Sequence, residues 1–501
     1  MIKKNFIANL IGRSWGSVLS IILIPVYIRY LGVESYGLVG FYIALTSIFS
    51  VFDLGIGSTL NREMAIRTVN SKDSNSLKDL VRTLEIIYWI ISISIGVIII
   101  AIAPYISKNW IHAQHIPLNI LINTIRLMGL SLIFQFPISL YQGGLMGLQK
   151  QVPLNIIFII TGTFRGIGVI FVFNFLSKEI SSFFVWQLIS NILAIFFLYI
   201  YLWKYIPRIS KPRFQSKILN EIKSYAAVLS INSLIGILLT QLDKIILSRT
   251  LSLELFSYYS IATTVSSVVW ILATPVNSTV FPKFAQLKST NNDEGLSGLF
   301  HKSSQVMTLI LVPICLTIIF FSKYFLMIWL HDQKIVENCQ LIVSLLLFGT
   351  LLNGLASLPS NCAIAFGFPK LVTITNLLQA IFLIPIILIL VNYYQAIGAT
   401  IAWIILNSLY FIFMIPYFFR KYLVNEKNKW FVFDIFLPLI ISASICLISK
   451  FLMPTNLTLI FALIWILFTF FISILFTLLI MSETRALFKK YIYHEIFERK
   501  N

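Results

Sequence analysis

Four basic residues fall inside segments apolar enough to lie within a membrane: Arg13, Arg126, Arg165 and Lys244. Arg165 sits near the middle of the apolar stretch 154–175. A charge at the bilayer centre costs roughly 2.5–3.5 kcal/mol on insertion scales, so such residues usually face a bundle interior or a wet cavity. Guanidinium groups there suit one chemistry above others, the bidentate grip of an anion such as phosphate. Polar residues recur around them at steps of three and four. The sets are Asn9, Arg13, Gly16 and Ser20; Tyr42, Thr46, Ser50, Asp53 and Gly57; Asn119, Asn123 and Arg126; and Thr161, Gly162, Arg165 and Val169. That spacing puts each set on one helical face, and four such faces imply a shared lumen. Its candidate substrate-binding residues are Arg13, Arg126, Arg165, Asn9 and Asn123.

Depth separates the three arginines. At 1.5 Å per residue, Arg13 lies about 6 Å from the middle of its span, close enough for its chain to snorkel to the interface. Arg126 lies about 12 Å inside the outer end of its span and Arg165 is nearly central, so both are expected to face the lumen. Asp53, Asp243 and Lys244 are candidates for gating or ion coupling. For Asp53 the rival role is a structural ion pair with one of the arginines. Asp243 and Lys244 are adjacent, hence about 100° apart on a helix, and cannot pair face to face. One is expected to face the lumen and the other the outer interface. Glu85 and Asp434 lie at span ends and are read as interfacial.

Other constellations carry less. His112-x-x-His115 has metal-like spacing but no third ligand, so no metal is expected there. Cys315, Cys339, Cys362 and Cys446 are scattered without paired spacing, which supports neither a disulfide framework nor a zinc site. No GxxxxGK[ST] phosphate loop occurs, and no nucleophile or acid pair suits a membrane transferase. A secondary transporter, not an enzyme, is the expected class. It would hold no cofactor and could draw on H+ or Na+ coupling or on the membrane potential.

The elements that must position these residues are helices across a bilayer. Of 501 residues 58% are hydrophobic and only 11% charged, unlike a soluble domain. Apolar runs long enough to cross recur throughout, giving fourteen predicted spans, the first at 6–28 and the last at 457–481. The net charge of +19 does not point to nucleic acid, because the basic residues cluster in alternate connections. One set of connections holds 27 of the 38 Lys and Arg, the other set 7. The positive-inside rule then places both termini in the cytoplasm.

An offset of 220 suggests an internal repeat. Arg29-x-Leu31-x-x-Glu34 matches Arg249-x-Leu251-x-x-Glu254, Gly147-x-x-Lys150 matches Gly367-x-x-Lys370, and Gly16 matches Gly236. Six spans per repeat would relate the halves by an axis along the membrane normal. The expected organisation is all-α: an N-terminal six-helix lobe (1–203), a basic cytoplasmic linker (204–224), a second six-helix lobe (225–419), two additional helices (420–481) and a basic cytoplasmic tail (482–501). The two additional spans read as featureless apolar sequence.

The stretch from Pro25 through Arg29, Leu31-Gly32, Glu34 and Tyr36-Gly37, continued by Phe52-Asp53-Leu54-Gly55-Ile56-Gly57 and Asn61-Arg62-Glu63, resembles the N-terminal signature of polysaccharide-export proteins. More narrowly it is similar to the Wzx-type O-antigen repeat-unit flippases of the MATE-like (MOP) superfamily. Gln241-Leu242-Asp243-Lys244 followed by Tyr258-Tyr259 resembles the start of that family's second lobe. The resemblance implies a bacterial inner-membrane protein with two six-helix bundles. It implies a passenger of undecaprenyl-pyrophosphate-linked oligosaccharide, carried from the cytoplasmic to the periplasmic leaflet, with a polysaccharide polymerase and a chain-length regulator as partners beside membrane lipid. In related lipid II flippases two further helices shape a groove for the lipid tail, which the last two spans would match unless they are an inert addition. Arg13, Arg126 and Arg165 are not fixed by the family motif.

The alternatives are a multidrug or organic-cation antiporter of the same superfamily, a lipid II flippase, and a surface-glycan polymerase or ligase. The antiporter should have a lumen dominated by carboxylates, whereas the first lobe offers three arginines against Asp53. The polymerase would need a large outer loop, and no outer connection exceeds about 16 residues on the span assignment.

Overall fold

The computed structural model describes residues 2–53, 55–69, 74–206, 212–454 and 457–486, with the side chains at 2–11, 13–14, 69, 74–76 and 219–233 outside that description. Among the described residues every regular element is a helix, and the sole β-type pairing is an isolated bridge between His112 and Ser252. The helices are α1 (Ile2–Leu31), α2 (Val33–Phe49), α3 (Ile56–Val69), α4 (Ser74–Asn109), α5 (Leu118–Gln135), α6 (Ile138–Gly147), α7 (Gln151–Phe175), α8 (Ile180–Tyr205) and α9 (Ser216–Thr250). They continue with α10 (Leu253–Ser266), α11 (Val268–Ser289), α12 (Asp293–Phe320), α13 (Ser322–Leu330), α14 (Gln333–Ala365), α15 (Pro369–Leu409), α16 (Ile415–Tyr422), α17 (Lys427–Lys429), α18 (Leu437–Leu452) and α19 (Leu459–Ile480). Eleven of the described helical stretches are long and apolar enough to cross a membrane. Helices are what this composition must form, because a backbone in hydrocarbon has to satisfy its own hydrogen bonds.

Several boundaries follow local chemistry. The stretch 118–147 is divided at Phe136-Pro137, where proline lacks the N–H to continue a ladder, into α5 and α6. α3 forms largely within 58–83, a stretch the sequence reads as a connection between spans. The unbroken stretch Pro369–Tyr422 is kinked at Gln395, whose φ of 52° and ψ of −130° are non-helical. Two π-helical segments, Tyr410–Met414 and Trp430–Phe436, widen the ladder on either side of α16 and α17.

The described chain forms two compact units, 1–257 and 258–501. The dividing line falls inside α10, later than the lobe boundary read from the sequence, and α9 packs along α2 in the first unit. The repeat is visible in the elements. Arg29 and Arg249 end α1 and α9, while Glu34 and Glu254 open α2 and α10. The Gly147–Gly367 pairing, however, slips by two residues. The left-handed residue before α7 is Gln149 (φ 56°) and that before α15 is Gly367 (φ 84°), each two positions ahead of its helix. Gly147 instead serves close packing, since a Cβ there would meet the Asn61 backbone of α3 and the Met64 side chain.

Connections in the first unit are fastened by carboxylates. Glu34 accepts hydrogen bonds from the backbone N–H groups of Gln114 and His115, and its Oε2 lies 3.0 Å from His115 Nδ1. This contact engages His115, while the His112 carbonyl accepts from Leu253 N at 2.9 Å. Asp79 accepts from Arg213 N (2.8 Å) and Thr83 from Gln215 N (3.0 Å), docking the segment after α8 onto α4. Glu85 and Asp434 are corrected by the structure, since both are buried inside their units. Glu85 accepts from Tyr141 Oη (2.6 Å) and pairs with Arg82 (2.8 Å), so it is neutralised in place.

The last two helices are not featureless either. Ser442 bonds Thr477 at 2.9 Å, Ser449 bonds Thr469 at 2.5 Å, and Trp465 Nε1 donates to Ser449 O at 3.2 Å. Such hydroxyl pairs hold membrane helices together where no hydrophobic force between them exists.

α3 and α6 touch backbone to backbone at Gly57 and Gly143, and a Cβ on Gly143 would run into the Gly57 carbonyl. A backbone cannot yield as a side chain can. Gly143→Ala is therefore expected to lower stability by about 1–3 kcal/mol. Gly298→Ala, where a Cβ meets nothing, should be neutral or slightly stabilising, as thermal unfolding in detergent would read.

Candidate functional site

A cavity of about 300 Å³ opens in the N-terminal unit between α1, α5, α6, α7 and α8. Arg165 lines it, with Gly12 and Gly16 from α1, Gln135 from α5, Ile138 and Gln142 from α6, Phe158, Thr161 and Gly162 from α7, and Ser190, Asn191 and Ala194 from α8. None of these is a carboxylate. Among the described residues Arg165 makes no ion pair and no hydrogen bond, although its charge reaches the hydroxyls of Tyr27 and Tyr42.

Glycines make this cavity in two opposite ways. A Cβ on Gly12 would collide with the Asn155 side chain, and one on Gly166 with Leu23 and Leu19, so these glycines let α1 and α7 close up. Among the described residues nothing lies within 4 Å of a Cβ on Gly16 or Gly162, which leave space open. Hydrogen bonds then fix the α1–α7 pair: Trp15 Nε1 to Thr163 Oγ1 (2.8 Å), Tyr27 Oη to Gly166 O (3.1 Å) and Tyr30 Oη to Asn174 Oδ1 (2.7 Å).

The back wall is a buried polar network. Asn191 Nδ2 donates to Ser131 Oγ (2.9 Å), which is 2.8 Å from Tyr42 Oη, joining α8, α5 and α2. Gln135 and Gln142 stand half-buried on the wall, and the amide of Gln142 reaches only the Met146 sulfur at 3.9 Å. A guanidinium, carboxamides and hydroxyls in one recess can bind an anion together with hydroxyl-rich groups, because both kinds of partner satisfy their donors and acceptors.

The structure separates the residues that the sequence grouped. The face carrying Thr161, Gly162 and Arg165 lines the cavity. Asn9 and Arg13 belong to α1, beside Gly12 and Gly16, but their side chains lie outside the described residues. Asn119, Asn123 and Arg126 do share one stripe of α5, yet it is an exposed stripe, and none of them lines this cavity. Among the described residues Arg126 has no ion-pair partner. Among the described residues Asp53 pairs with no arginine; its Oδ1 accepts from Ser139 Oγ at 3.1 Å. Asp243 Oδ1 accepts from the Lys244 backbone N–H at 2.8 Å, while Lys244 Nζ donates to Gln241 Oε1 at 3.0 Å. Both are half-buried on α9, outside the cavity. Gln135, Gln142, Ser190 and Asn191 escaped the sequence reading. Gln187, Ser190 and Asn191, at i, i+3 and i+4, carry the signal that would have revealed the α8 wall.

Residues 2–288 match the family described as polysaccharide biosynthesis protein, more than half of the chain. The chain belongs to that family. It is 22% identical over 410 residues to a Shigella flexneri protein described as "Putative O-antigen transporter", covering 81% of this chain and 96% of that one. Its fold matches the lipid II flippase MurJ in an inward closed conformation, at 16% identity, with a TM-score of 0.70 over 98% of both chains. It also matches an inward-facing multidrug resistance MATE family transporter of the MOP superfamily, at 13% identity and a TM-score of 0.66. That second match covers 96% of the transporter but only 81% of this chain. The chain is thus a multi-pass membrane protein of transporter fold.

The two classes of glycine on α7 give a test. Gly162→Phe is expected to fill the cavity and stop transport without lowering stability, since removing a helical glycine itself gains up to about 1 kcal/mol. Gly166→Phe, four residues on, should wedge α1 from α7 and cost about 1–3 kcal/mol. Thermal unfolding and a cellular transport assay on the pair read the two effects separately.

Proposed function

We propose that the chain flips undecaprenyl-pyrophosphate-linked oligosaccharide repeat units, of O-antigen or a related surface polysaccharide, from the cytoplasmic to the periplasmic leaflet of a bacterial inner membrane. The observation that carries this is the guanidinium of Arg165, without an ion pair among the described residues, in a cavity whose polar lining is carboxamides and hydroxyls, with no carboxylate among the described residues. Pyrophosphate and sugars cannot enter hydrocarbon without losing hydration, which is prohibitive for charge. A polar recess open to one side would shelter the head group while the prenyl tail stays in lipid. Arg165 would hold phosphate oxygens, with Arg13 and Asn9 on the same α1 face and Arg126 and Asn123 as outer contacts. The carboxamides of Gln135, Gln142 and Asn191 would meet sugar hydroxyls.

On this reading fourteen spans cross the membrane with both termini cytoplasmic, and the break at Gln395 divides 369–422 into two of them. Two six-helix lobes rock to give alternating access, and the last two helices serve the lipid tail. A polysaccharide polymerase and a chain-length regulator would receive the product. Asp53, Asp243 and Lys244 remain the candidates for gating or for H+ or Na+ coupling. A cavity without carboxylates disfavours an organic-cation antiporter. The end-to-end fold match to MurJ favours one second reading, a lipid II flippase. Loss of surface polysaccharide in a viable deletion strain selects the first reading, and loss of viability the second.

In that deletion strain Arg165→Ala is expected to abolish export at normal expression, and Arg165→Lys to retain part of it. A charge-assisted contact is worth about 1.5–3 kcal/mol, roughly a 10–100-fold loss of affinity. Wild-type polysaccharide levels with Arg165→Ala would remove Arg165 from the site. Voltage offers a second check. Moving two negative charges out of a negative-inside cell is favoured by about 4.6 kcal/mol at about 100 mV, if both cross the full field. Reversing the potential across proteoliposomes should therefore slow transport, and an unchanged rate would exclude this driving force.

A further inference from the structure

The C-terminal unit holds a buried ionisable cluster that the proposed transport does not use. His301 on α12 has a carboxylate against each ring nitrogen: Nδ1 is 2.6 Å from Asp434 Oδ2, and Nε2 is 2.9 Å from Glu426 Oε2. Asp434 is fully buried, the His301 side chain is 1% exposed, and Glu426 reaches partly outward. The remaining carboxylate oxygens are also engaged. Gln305 Nε2 donates to Asp434 Oδ1 at 2.9 Å, and Ser297 Oγ donates to Glu426 Oε1 at 2.6 Å.

Counting donors fixes the proton inventory. A neutral imidazole offers one N–H and one lone pair, yet both nitrogens here face acceptors. The contacts require an imidazolium, or a neutral ring with a proton on one carboxyl. Either way the three groups hold one proton more than a neutral histidine and two carboxylates. Without it a ring lone pair would face a carboxylate oxygen, and two negative charges would share a buried site. Burial pushes the Glu426 carboxyl up, but hydrogen bonds from Ser297 and His301 hold it below the usual carboxylate range. The proton therefore belongs to the His301–Asp434 side of the cluster.

The cluster also occupies a structural junction. His301, Ser304 and Gln305, at i, i+3 and i+4, lie on one face of α12. They meet the π-helical segment 430–436, whose Trp430 Nε1 donates to Ser304 Oγ at 2.7 Å and which also carries Asp434. Gln305 Oε1 accepts from the backbone N–H groups of Glu483 (3.0 Å) and Thr484 (3.2 Å). Asp434 precedes α18 and Thr484 follows α19, so one carboxamide ties both ends of the last helix pair to α12. Among the described residues Lys429 is a further charge whose field reaches the cluster, and Lys288 of α11 lies over the Phe366 ring. The surrounding contacts are aromatic, with Phe284, Phe418 and Phe419 around Phe300.

We propose that His301, Asp434 and Glu426 form a proton-binding site whose occupancy fastens the last two helices to α12, and whose emptying releases them. The site acts whatever the passenger is. Because the fastened state holds the extra proton, release must become easier as pH rises, by at most tenfold per pH unit for one proton.

Hydrogen–deuterium exchange on the full-length protein in nanodiscs, corrected for intrinsic rates, tests this. Between about pH 6 and pH 8 the opening constant of 427–486 should rise about tenfold or more, while that of 74–135 should not. His301→Gln should remove the rise, and Glu426→Gln, at a partly exposed position, should reduce it in a protein that still folds. Equal pH dependence of the two segments in wild type, or a wild-type rise in His301→Gln or Glu426→Gln, would overturn the proposal.

Discussion

A guanidinium cannot be left in hydrocarbon, and much of the N-terminal unit follows from where Arg165 stands. Its position halfway along an apolar helix demands a polar recess, and that recess demands helices that part locally yet stay packed elsewhere. α7 and α1 meet the demand with glycine at adjacent turns. Gly12 and Gly166 bring the helices together; Gly16 and Gly162 keep the space between them open. The recess then needs polar walls that are satisfied even without a passenger. The Asn191–Ser131–Tyr42 network does this on the far side by directing its hydrogen bonds to its own members.

The same requirement explains which charges are neutralised and which are not. Glu85 is enclosed by Tyr141 and Arg82, Glu34 by the loop at 114–115, and Asp434 by His301 and Gln305. Each has its partners within its own unit, so each is structural in the resting chain. Arg165 is different, since it lines the cavity, exposed, with no acceptor among the described residues. An unmatched cation in a membrane domain is destabilising, and a chain that keeps one needs a use for it. On the proposed function that use is to hold a phosphorylated, hydroxyl-rich ligand, which the carboxamides beside it suit.

The helical character of the spans, the polar face of α7 and the matching places of Arg29 and Arg249, and of Glu34 and Glu254, at helix ends were legible in the sequence, because each rests on local pattern. What escaped depends on contacts between elements. Arg126 shares a stripe with Asn119 and Asn123, but a stripe does not say which side of α5 packs inward. Glu85 and Asp434 sit near span ends, where water is the partner that position alone suggests; tertiary partners distant in sequence take its place. Span ends also shift where backbone geometry overrides hydropathy, at Pro137 and at the π-helical turns, whereas the break at Gln395 falls between the spans read at 371–391 and 398–419. The hydroxyls of α18 and α19 read as inert because each is isolated in its own helix and acquires meaning only opposite another.

The repeat sharpens the functional argument. In both halves a left-handed residue, Gln149 or Gly367, stands two positions before a long membrane helix. The first of these helices carries Arg165. Its counterpart, α15, has no charged residue beyond Lys370 and bends at Gln395 instead. The two units differ in their charges: a cationic recess in the first, and in the second a closed acidic cluster about His301. Gly16 has a repeat counterpart in Gly236, but the shared architecture does not call for Gly162, whose counterpart at the 220-residue offset is Phe382. Gly16 and Gly162 bring no helix closer, and in a helix interior each is destabilising by roughly 0.5–1 kcal/mol relative to alanine. That cost has a physical rationale only if the space beside the guanidinium is used.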